Sequence, residues 1–458
     1  MEVKGLLAAL LICLTVSQDE ACLFSKYILS REHGHLYPDF HHDFAIRSSP
    51  PVQDIHLALA GDGIMRVNWL NPIPFSQGLF SPMCYYGNSS KNINIKVPGF
   101  ISTYPSGDFE LTLNTATLDL HQLANIYETV YYVCGDEKYG WSETHFFTLQ
   151  PGTIKENVDS GEGPLIALVG DMGVTHGEHT MASISKRVKS SDVQMLVHAG
   201  DISYANKFGG KTGNNSYIWV NYMNQLQSTV SQVPYMLCPG NHESQFDFAG
   251  YLNWYTMPTT HSGSTSPFWF SFDYMGIHFL SFSTEHPFQQ NSTQFAWIKQ
   301  DLYKANSNRA NVPWIIVYGH RPLYCTSVIC SERCESEAPR FRSYLEDLLY
   351  EQKVDVVMAG HNHNYERTYP VYKLKATQKD YNNPKAPVYI VNGAAGNPEW
   401  NDPTFRLNVP WRAHAQFTFD TGYLLLRPSP TQLHFQYVIS KRDKVVDQFT
   451  ITKTSNQF

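Results

Sequence analysis

The sequence predicts an all-β sandwich followed by an α/β domain, and three observations carry that prediction. From about residue 50 to residue 150, short alternating runs recur without helical periodicity. Residues 151–163 then form a polar linker containing Pro151, Gly152, Gly161 and Gly163. Beyond it, short apolar runs alternate with helical candidates, and five of those runs end in a glycine followed by Asp, Asn or His. A length of 458 residues exceeds what one ordinary core organises, which agrees with two units.

Composition narrows the class of molecule. With 42% apolar, 14% aromatic and 16% charged residues, the chain is globular in make-up, not disordered. The formal charge of -7 comes from 34 basic and 41 acidic residues spread along the chain. No basic block offers a footprint for nucleic acid, so that partner is not expected.

Residues 1–17 read as a targeting signal: Lys4 supplies the positive start, Leu6 to Val16 the apolar run, and Ser17 a small residue before the cut. The alternative is a buried N-terminal strand or helix. The run is short for a bilayer, and no later stretch approaches twenty uninterrupted apolar residues, so no transmembrane anchor is expected. Residues 18–45 are a polar, histidine-rich lead-in (His33, His35, His41, His42). Export predicts glycosylation and disulfides. Sequons occur at Asn88, Asn214 and Asn291. Without Cys13, seven cysteines remain: Cys22, Cys84, Cys134, Cys238, Cys325, Cys330 and Cys334. The odd count leaves at least one free or paired with another chain, so oligomeric state stays open. The Cys325, Cys330, Cys334 cluster suits a small loop disulfide, and a zinc knot is disfavoured because no histidine lies between His320 and His361.

The sandwich, residues 46–150, is read from Ile55–Leu59, Met65–Trp69, the aromatic-rich run ending at Glu128–Cys134, and Thr144–Leu149 after a Gly140-Trp141 turn. The α/β domain, residues 164–458, is read from buried strands at 164–169, 193–198, 233–238, 312–317, 354–358 and 387–391. Helical candidates cover 179–190, 218–230, 293–305 and 339–351, and residues 411–453 return to short strands that extend a sheet.

Five strand ends deliver Asp171, Asp201, Asn241, His320 and His361, each directly after a glycine, with His363 two positions beyond His361. In α/β folds the crevice beyond the carboxyl ends of the strands is the usual site, and glycine there lets the backbone turn tightly. One such residue is most often a cap; five aimed at one face form a ligand set. Carboxylates and imidazoles suit iron, manganese and zinc, and two such ions a few ångströms apart clamp the attacking and leaving oxygens of a phosphoryl displacement.

Gly170-Asp171-Met172-Gly173, Gly200-Asp201-Ile202-Ser203-Tyr204, Gly240-Asn241-His242-Glu243, Val317-Tyr318-Gly319-His320 and Gly360-His361-Asn362-His363 resemble the five ordered motifs of the purple acid phosphatases. The resemblance covers most of the chain. It implies that the sandwich is fibronectin type III-like, including its Gly140-Trp141-Ser142 turn. It also implies that the catalytic part is a metallophosphoesterase domain, two central mixed β-sheets flanked by helices and closed by the Asp447–Ile451 strand. Asp171, Asp201, Tyr204 and His363 would then hold Fe(III). Asp201 would bridge to a divalent ion (iron, zinc or manganese) completed by Asn241, His320 and His361. Tyr204 marks the subfamily, because other metallophosphoesterases generally lack a tyrosinate ligand.

The implied activity is acid hydrolysis of phosphomonoesters by hydroxide generated at the centre, with Asp201, Asn241 and His242 at the catalytic positions. His242 resembles the family's histidine beside the phosphate; its plainer alternative is to orient Asn241 or Glu243. The chain departs from the pattern after His320, where relatives supply further histidines. Residues 321–340 contain none and offer Arg321, Glu332, Arg333, Glu335 and Glu337 instead, so the leaving-group acid is unassigned. Two rival readings remain: hydrolysis of phosphodiesters or nucleotide pyrophosphates at the same centre, and a secreted binding protein with an inert phosphatase part. The compartment implied is secreted or lysosome-like.

Overall fold

A computed structural model describes residues 51–73, 75–106, 109–153, 163–207, 216–330 and 332–454. The predicted signal and lead-in, Cys22, Asn214 and most of the linker lie outside the described residues.

The first unit contains eight antiparallel strands: β1 (Gln53–Gly61), β2 (Ile64–Asn71), β3 (Met83–Gly87), β4 (Ile95–Ser106), β5 (Phe109–Asp119), β6 (Thr129–Asp136), β7 (Gly140–Trp141) and β8 (His145–Thr148). They run in the order β1-β2-β5-β4-β3-β6-β7, with β8 on β6. The twelve residues of β4 serve both halves of this path, pairing with β3 from Ile95 to Pro98 and with β5 from Gly99 onward. In β1 the expected alternation fails to expose a face, since His56 and Ala58 are as buried as Leu57 and Leu59. The reason is that β1 is covered from behind. Leu57 bridges Pro234, the Ile55 amide donates to Gln227 Oε1 (3.0 Å), and His56 Nε2 meets the Trp254 carbonyl (2.8 Å).

The second unit carries two mixed sheets. The first joins β9 (Leu165–Val169), β10 (Val193–Ala199) and β11 (Tyr235–Cys238), all parallel, to antiparallel β21 (Gly422–Pro428), β22 (Gln432–Ile439) and β23 (Lys444–Thr452). Its order is β11-β10-β9-β21-β22-β23. The second sheet has a parallel centre of β13 (Ile277–Ser281), β14 (Trp314–Tyr318), β15 (Val356–Ala359) and β19 (Val388–Asn392). Antiparallel β12 (Phe270–Tyr274), β16 (Tyr365–Thr368) and β20 (Arg412–Ala415) complete it, while β17 (Val371–Tyr372) and β18 (Lys375–Ala376) pair separately. The helices are α1 (Glu178–Lys189), α2 (Ser216–Val230), α3 (Ala249–Trp254), α4 (Thr293–Ser307) and α5 (Ala338–Glu351). All six predicted strands and four predicted helices of this unit occur within about two residues of their expected bounds.

The β12–β13 hairpin escapes sequence reading for a local reason. Its turn is Met275-Gly276, both at positive φ (52° and 73°), where Asn-Gly or Asp-Gly is the usual signal. One continuous apolar cluster runs from Val52 through Trp69 and Tyr132 to Leu168, Leu237 and Leu426, so the first unit shares its core with the second.

Cys84 and Cys134 face each other across β3 and β6 and form a disulfide, and Cys325 pairs with Cys334. Cys330 is also disulfide-bonded, and Cys238 is the free cysteine among the described residues, buried in β11. Asn88 and Asn291 are exposed. No helix among the described residues is long and apolar enough to cross a membrane.

The Cys84–Cys134 bridge spans a sequence separation of 50 and ties two strands of the shared core. Removing it with Cys84→Ala and Cys134→Ala together is expected to cost about 2–5 kcal/mol, read as a lowered midpoint in thermal unfolding at fixed metal content. An unchanged midpoint would mean that the β3–β6 ladder alone holds this region.

Candidate metal centre

Three strands of the first sheet and two of the second point their carboxyl ends at one place. Asp171 follows β9, Asp201 follows β10, Asn241 follows β11, His320 follows β14 and His361 follows β15. Backbone bonds continue each sheet to that edge, Asp171 N–H donating to the Gly200 carbonyl (3.1 Å) in the first and Gly360 N–H to the His320 carbonyl (2.9 Å) in the second. Asn392 Nδ2 to the Leu168 carbonyl (2.9 Å) and Ala395 N–H to the Gly170 carbonyl (3.3 Å) tie the two sheets together.

The glycines before the ligands serve mainly to let chains approach. A Cβ on Gly360 would lie 2.3 Å from Asp171 Oδ2, and one on Gly240 would lie 2.2 Å from Asp201 Oδ1. Of the five, only Gly200 has a left-handed backbone (φ 76°), so the tight-turn explanation holds at that position and close contact explains the others. The left-handed conformation falls instead on the predicted ligands Asp171 (φ 56°), Asp201 (52°), Tyr204 (58°) and His361 (66°). Such residues cost roughly 1–3 kcal/mol each and persist where the surroundings over-determine them, commonly at functional sites.

The seven predicted metal residues come together as two adjoining groups. In the first, Tyr204 Oη lies 3.0 Å from Asp171 Oδ1 and 3.2 Å from His363 Nε2, and that nitrogen is 3.3 Å from Asp171 Oδ1. In the second, His320 Nε2 lies 3.1 Å from Asp201 Oδ2, 3.1 Å from Asn241 Oδ1 and 3.2 Å from His361 Nδ1. One bond joins the groups: the His361 amide donates to Asp171 Oδ2 at 2.8 Å.

The chemistry of the second group calls for a cation. His320 Nδ1 faces the Ala199 carbonyl (2.9 Å), which only accepts, so Nδ1 carries the proton of a neutral ring and Nε2 is a lone pair. His361 Nε2 faces Glu337 Oε2 (3.1 Å), with Arg321 Nη1 farther off at 3.4 Å; with its proton on Nε2, toward that carboxylate, Nδ1 is its lone pair. Two imidazole lone pairs, a carboxylate oxygen and an amide oxygen then converge with no hydrogen among them. A metal ion satisfies all four. Without one, a proton takes its place: burial disfavours charge on His320, but Asp201 outweighs it and raises the ring to about 10. The first group fits a cation in the same way, since His363 Nδ1 meets the Trp400 carbonyl (3.3 Å) and turns Nε2 inward.

Around the ligands lies a supporting layer, part of which sequence reasoning missed. Glu243 is buried, and its carboxylate accepts from the amides of Asp201 (2.9 Å), Ile202 (2.9 Å) and Gly240 (2.8 Å), fixing the loops after β10 and β11 to each other. Burial and then Asp201 push its carboxyl up to about 8, while the amides of Ile202 and Gly240 pull the other way. Its signal was its place in the Gly-Asn-His-Glu motif. His242 donates its amide to Asp201 Oδ1 (2.9 Å) and packs its ring 4.3 Å from Tyr204. Its Nδ1 meets Asn206 Oδ1 (2.8 Å), so Nε2 turns to the centre, 3.7 Å from Asp201 Oδ2. Burial lowers this imidazole to about 4 against the pull of Asp201 and Glu399. Asn206, two residues beyond Tyr204, had no separate signal. Lys207 pairs with Glu399 nearby. On the opposite side, Arg321 grips Glu285 through two bonds (2.8 and 3.1 Å) and Glu337 through one (2.5 Å). Glu335, by contrast, is exposed.

Residues 164–365 match the calcineurin-like phosphoesterase model, and residues 386–448 match the model of the iron/zinc purple acid phosphatase-like protein C. An acid phosphatase type 7 of Danio rerio is 34% identical, covering 70% of this chain and 74% of that protein. Purple acid phosphatase 22 of Arabidopsis thaliana is 30% identical, covering 77% of this chain and 74% of its own. The solved structure of a purple acid phosphatase from yellow lupin (Lupinus luteus) seeds shares the fold with a TM-score of 0.75 at 23% identity, over 88% of this chain and 75% of that one.

Glu243→Gln tests the brace between the loops. An amide has one oxygen, so its NH₂ must face at least one of the three backbone donors, a buried mismatch worth about 1–3 kcal/mol. The expected result is a matching loss of stability in denaturant unfolding and a reduced metal content. Wild-type values for both would remove Glu243 from the architecture of the site.

Proposed function

The chain belongs to the purple acid phosphatase family of metallophosphoesterases, and from that premise we propose that it is an acid phosphatase that hydrolyses phosphomonoesters. The two positions are taken to hold iron(III) at Asp171, Asp201, Tyr204 and His363, and a divalent iron, zinc or manganese at Asp201, Asn241, His320 and His361. The observation that carries this reading is the acceptor-only convergence at His320, His361, Asp201 and Asn241, directly beside the Asp171–Tyr204–His363 group. A pair of cations held there supplies positive charge to phosphoryl oxygens and acidifies a water.

The protein's own groups divide the remaining work. Asp201 is taken to serve both positions, where one carboxylate would offset the repulsion of two cations. Asn241 adds a neutral oxygen and so leaves the divalent position net positive. His242 stands outside the ligands, held through Nδ1 by Asn206, with Nε2 turned to the centre, where the protonated ring would donate to a phosphoryl or leaving-group oxygen. Burial, then Asp171 and Asp201, raise the Tyr204 phenol well above its usual value of 10; as a ligand of a trivalent cation Tyr204 would instead be held as the phenolate. The first eight strands read best as a fibronectin type III-like domain. Two disulfide-linked pairs and the exposed sequons Asn88 and Asn291 support a secreted or lysosome-like setting.

Two substitutions separate the bridge from the substrate-facing histidine. Asp201→Asn is expected to abolish hydrolysis and to lower metal content, because it removes charge from between two cations. His242→Ala should retain close to two metals per chain while turnover falls by about 10²-fold, the usual scale for a proton donor. Metal analysis beside a phosphomonoester, a phosphodiester and ATP as substrates reads both variants. A His242→Ala protein stripped of metal would place the ring among the ligands, and a preference for the diester or ATP would replace the proposed substrate.

Tyr204→Phe keeps the ring and removes the oxygen. Phenolate-to-iron charge transfer gives the wild type a visible absorption band, and the variant is expected to lose it with activity reduced less than in Asp201→Asn. Iron-loaded, oxidised Tyr204→Phe with an unchanged spectrum would sink the tyrosinate assignment.

A further inference from the structure

The segment after His320 lacks the histidines expected there, and the structure puts a carboxylate in contact with a metal ligand instead. Glu337 Oε2 lies 3.1 Å from His361 Nε2, while Oε1 pairs with Arg321 Nη1 at 2.5 Å. Arg321 is in turn held by both oxygens of Glu285. Glu337 is fixed from its own side as well. It ends a π-helical turn, Arg333–Glu337, and immediately precedes α5, whose second residue is Pro339. Single π-turns are rare and concentrate at functional sites. The turn is anchored by the Cys325–Cys334 disulfide, and Cys334 Sγ accepts from Asn362 Nδ2 (3.2 Å), the residue between His361 and His363. Arg333 also donates to the His361 carbonyl.

We propose that Glu337 is the positioning residue of His361, holding the proton on Nε2 so that Nδ1 is presented to the divalent ion. On that ring Nε2 faces the Glu337 carboxylate, which only accepts, at 3.1 Å, with Arg321 Nη1 farther off at 3.4 Å, and Nδ1 faces His320 Nε2 and the pocket. A metal-bound imidazole whose other nitrogen donates to a carboxylate is a better electron donor and loses less rotational freedom on coordination. Arg321 holds Glu337 in place, with Glu285 offsetting the arginine's charge. In this role Glu337 acts through His361.

This inference rests on the assignment of His361 as a ligand, and its test reads metal affinity apart from activity. Glu337→Ala, Glu337→Gln and the exposed control Glu351→Ala are prepared as full chains, freed of the divalent ion by a chelator and titrated with zinc, with iron and zinc counted per chain. Glu337→Ala is expected to bind zinc about 10–100-fold more weakly with iron retained, the usual effect of losing such a partner. Glu337→Gln keeps an oxygen that accepts the Nε2–H and should recover most of the affinity, and Glu351→Ala should match wild type. Wild-type affinity in Glu337→Ala overturns the proposal. So does a glutamine variant as weak as alanine, since only the charge facing Arg321 would then matter. Should the alanine variant fail to fold, the zinc-loaded wild type and Glu337→Gln are compared by imidazole nitrogen NMR. An exchange-protected His361 Nε2–H in both supports the proposal, and its absence from wild type overturns it. A wild type that binds both ions yet hydrolyses no phosphoester defeats the phosphatase reading and leaves the role of Glu337 standing.

Discussion

The catalytic unit depends on how closely two β-sheets approach at their carboxyl ends. At Gly170 a Cβ would meet the Asn392 carbonyl at 2.8 Å, and at Gly200 it would meet His320 Nδ1 at 2.7 Å. The strands of both sheets therefore stop on glycine, and the ligands that follow start from backbones already in contact. This proximity makes the cross-sheet bonds possible, and at the junction Asp171, Asp201, Tyr204 and His361 adopt left-handed conformations. At roughly 1–3 kcal/mol each, four such residues weigh against a native state that is typically stable by only about 5–15 kcal/mol. The strain falls on residues proposed to hold cations, where binding would offset it. Binding free energy for a site that exists only in the folded chain is folding free energy.

Electrostatics points the same way. Asp171, Asp201, His320, His361 and His363 are all buried, and the hydrogen-bond pattern turns their lone pairs toward one another. Buried charges persist when paired or coordinated. The fold neutralises its surroundings locally, with Lys207 on Glu399 and Arg321 between Glu285 and Glu337, so the ligand groups themselves remain the uncompensated part. Glu243 adds a further constraint, because a single buried carboxylate fixes the amides of Asp201, Ile202 and Gly240 and thereby the loops that carry Asp201 and Asn241.

Much of this was legible in the sequence because both signals are local. A buried parallel strand is a short apolar run, and the polar residue at its end follows a glycine, so β9, β10, β11, β14 and β15 and the five residues gathered at their ends could be read directly. Two kinds of feature were not legible. Elements whose local signal is unusual escaped, as at the Met275-Gly276 turn. Contacts that depend on distant segments escaped as well: Asn206 on His242, Glu337 on His361, and Asn392 beneath β9. Among the five charged residues that replace the missing histidines, spacing alone did not separate Glu337, which reaches the centre, from Glu335, which faces solvent. The π-helical turn decides between them, and nothing in the composition of Arg333–Glu337 announces it.

The same limit applies to the first eight strands, whose alternating pattern suggested a separate domain ahead of the linker. Their structure makes them part of the frame behind the metal centre. The Tyr132 hydroxyl donates to the Ser231 carbonyl (2.7 Å) just past α2, and Leu57 bridges Pro234 at the entry to β11. Arg66 Nη1 donates to the Met257 carbonyl (2.7 Å), a few residues past α3. The segment from α2 to α3 is the one that carries Asn241, His242 and Glu243. It is therefore held between the ligand face on one side and the first unit on the other. An apolar cluster that includes Leu57, Tyr132, Val233, Tyr235 and Trp254 has no separate boundary at which the two units could part without exposing it. The position of Asn241 and the Glu243 brace thus depend on strands that contribute no ligand, which gives the first unit a structural part in the chemistry whatever else it binds.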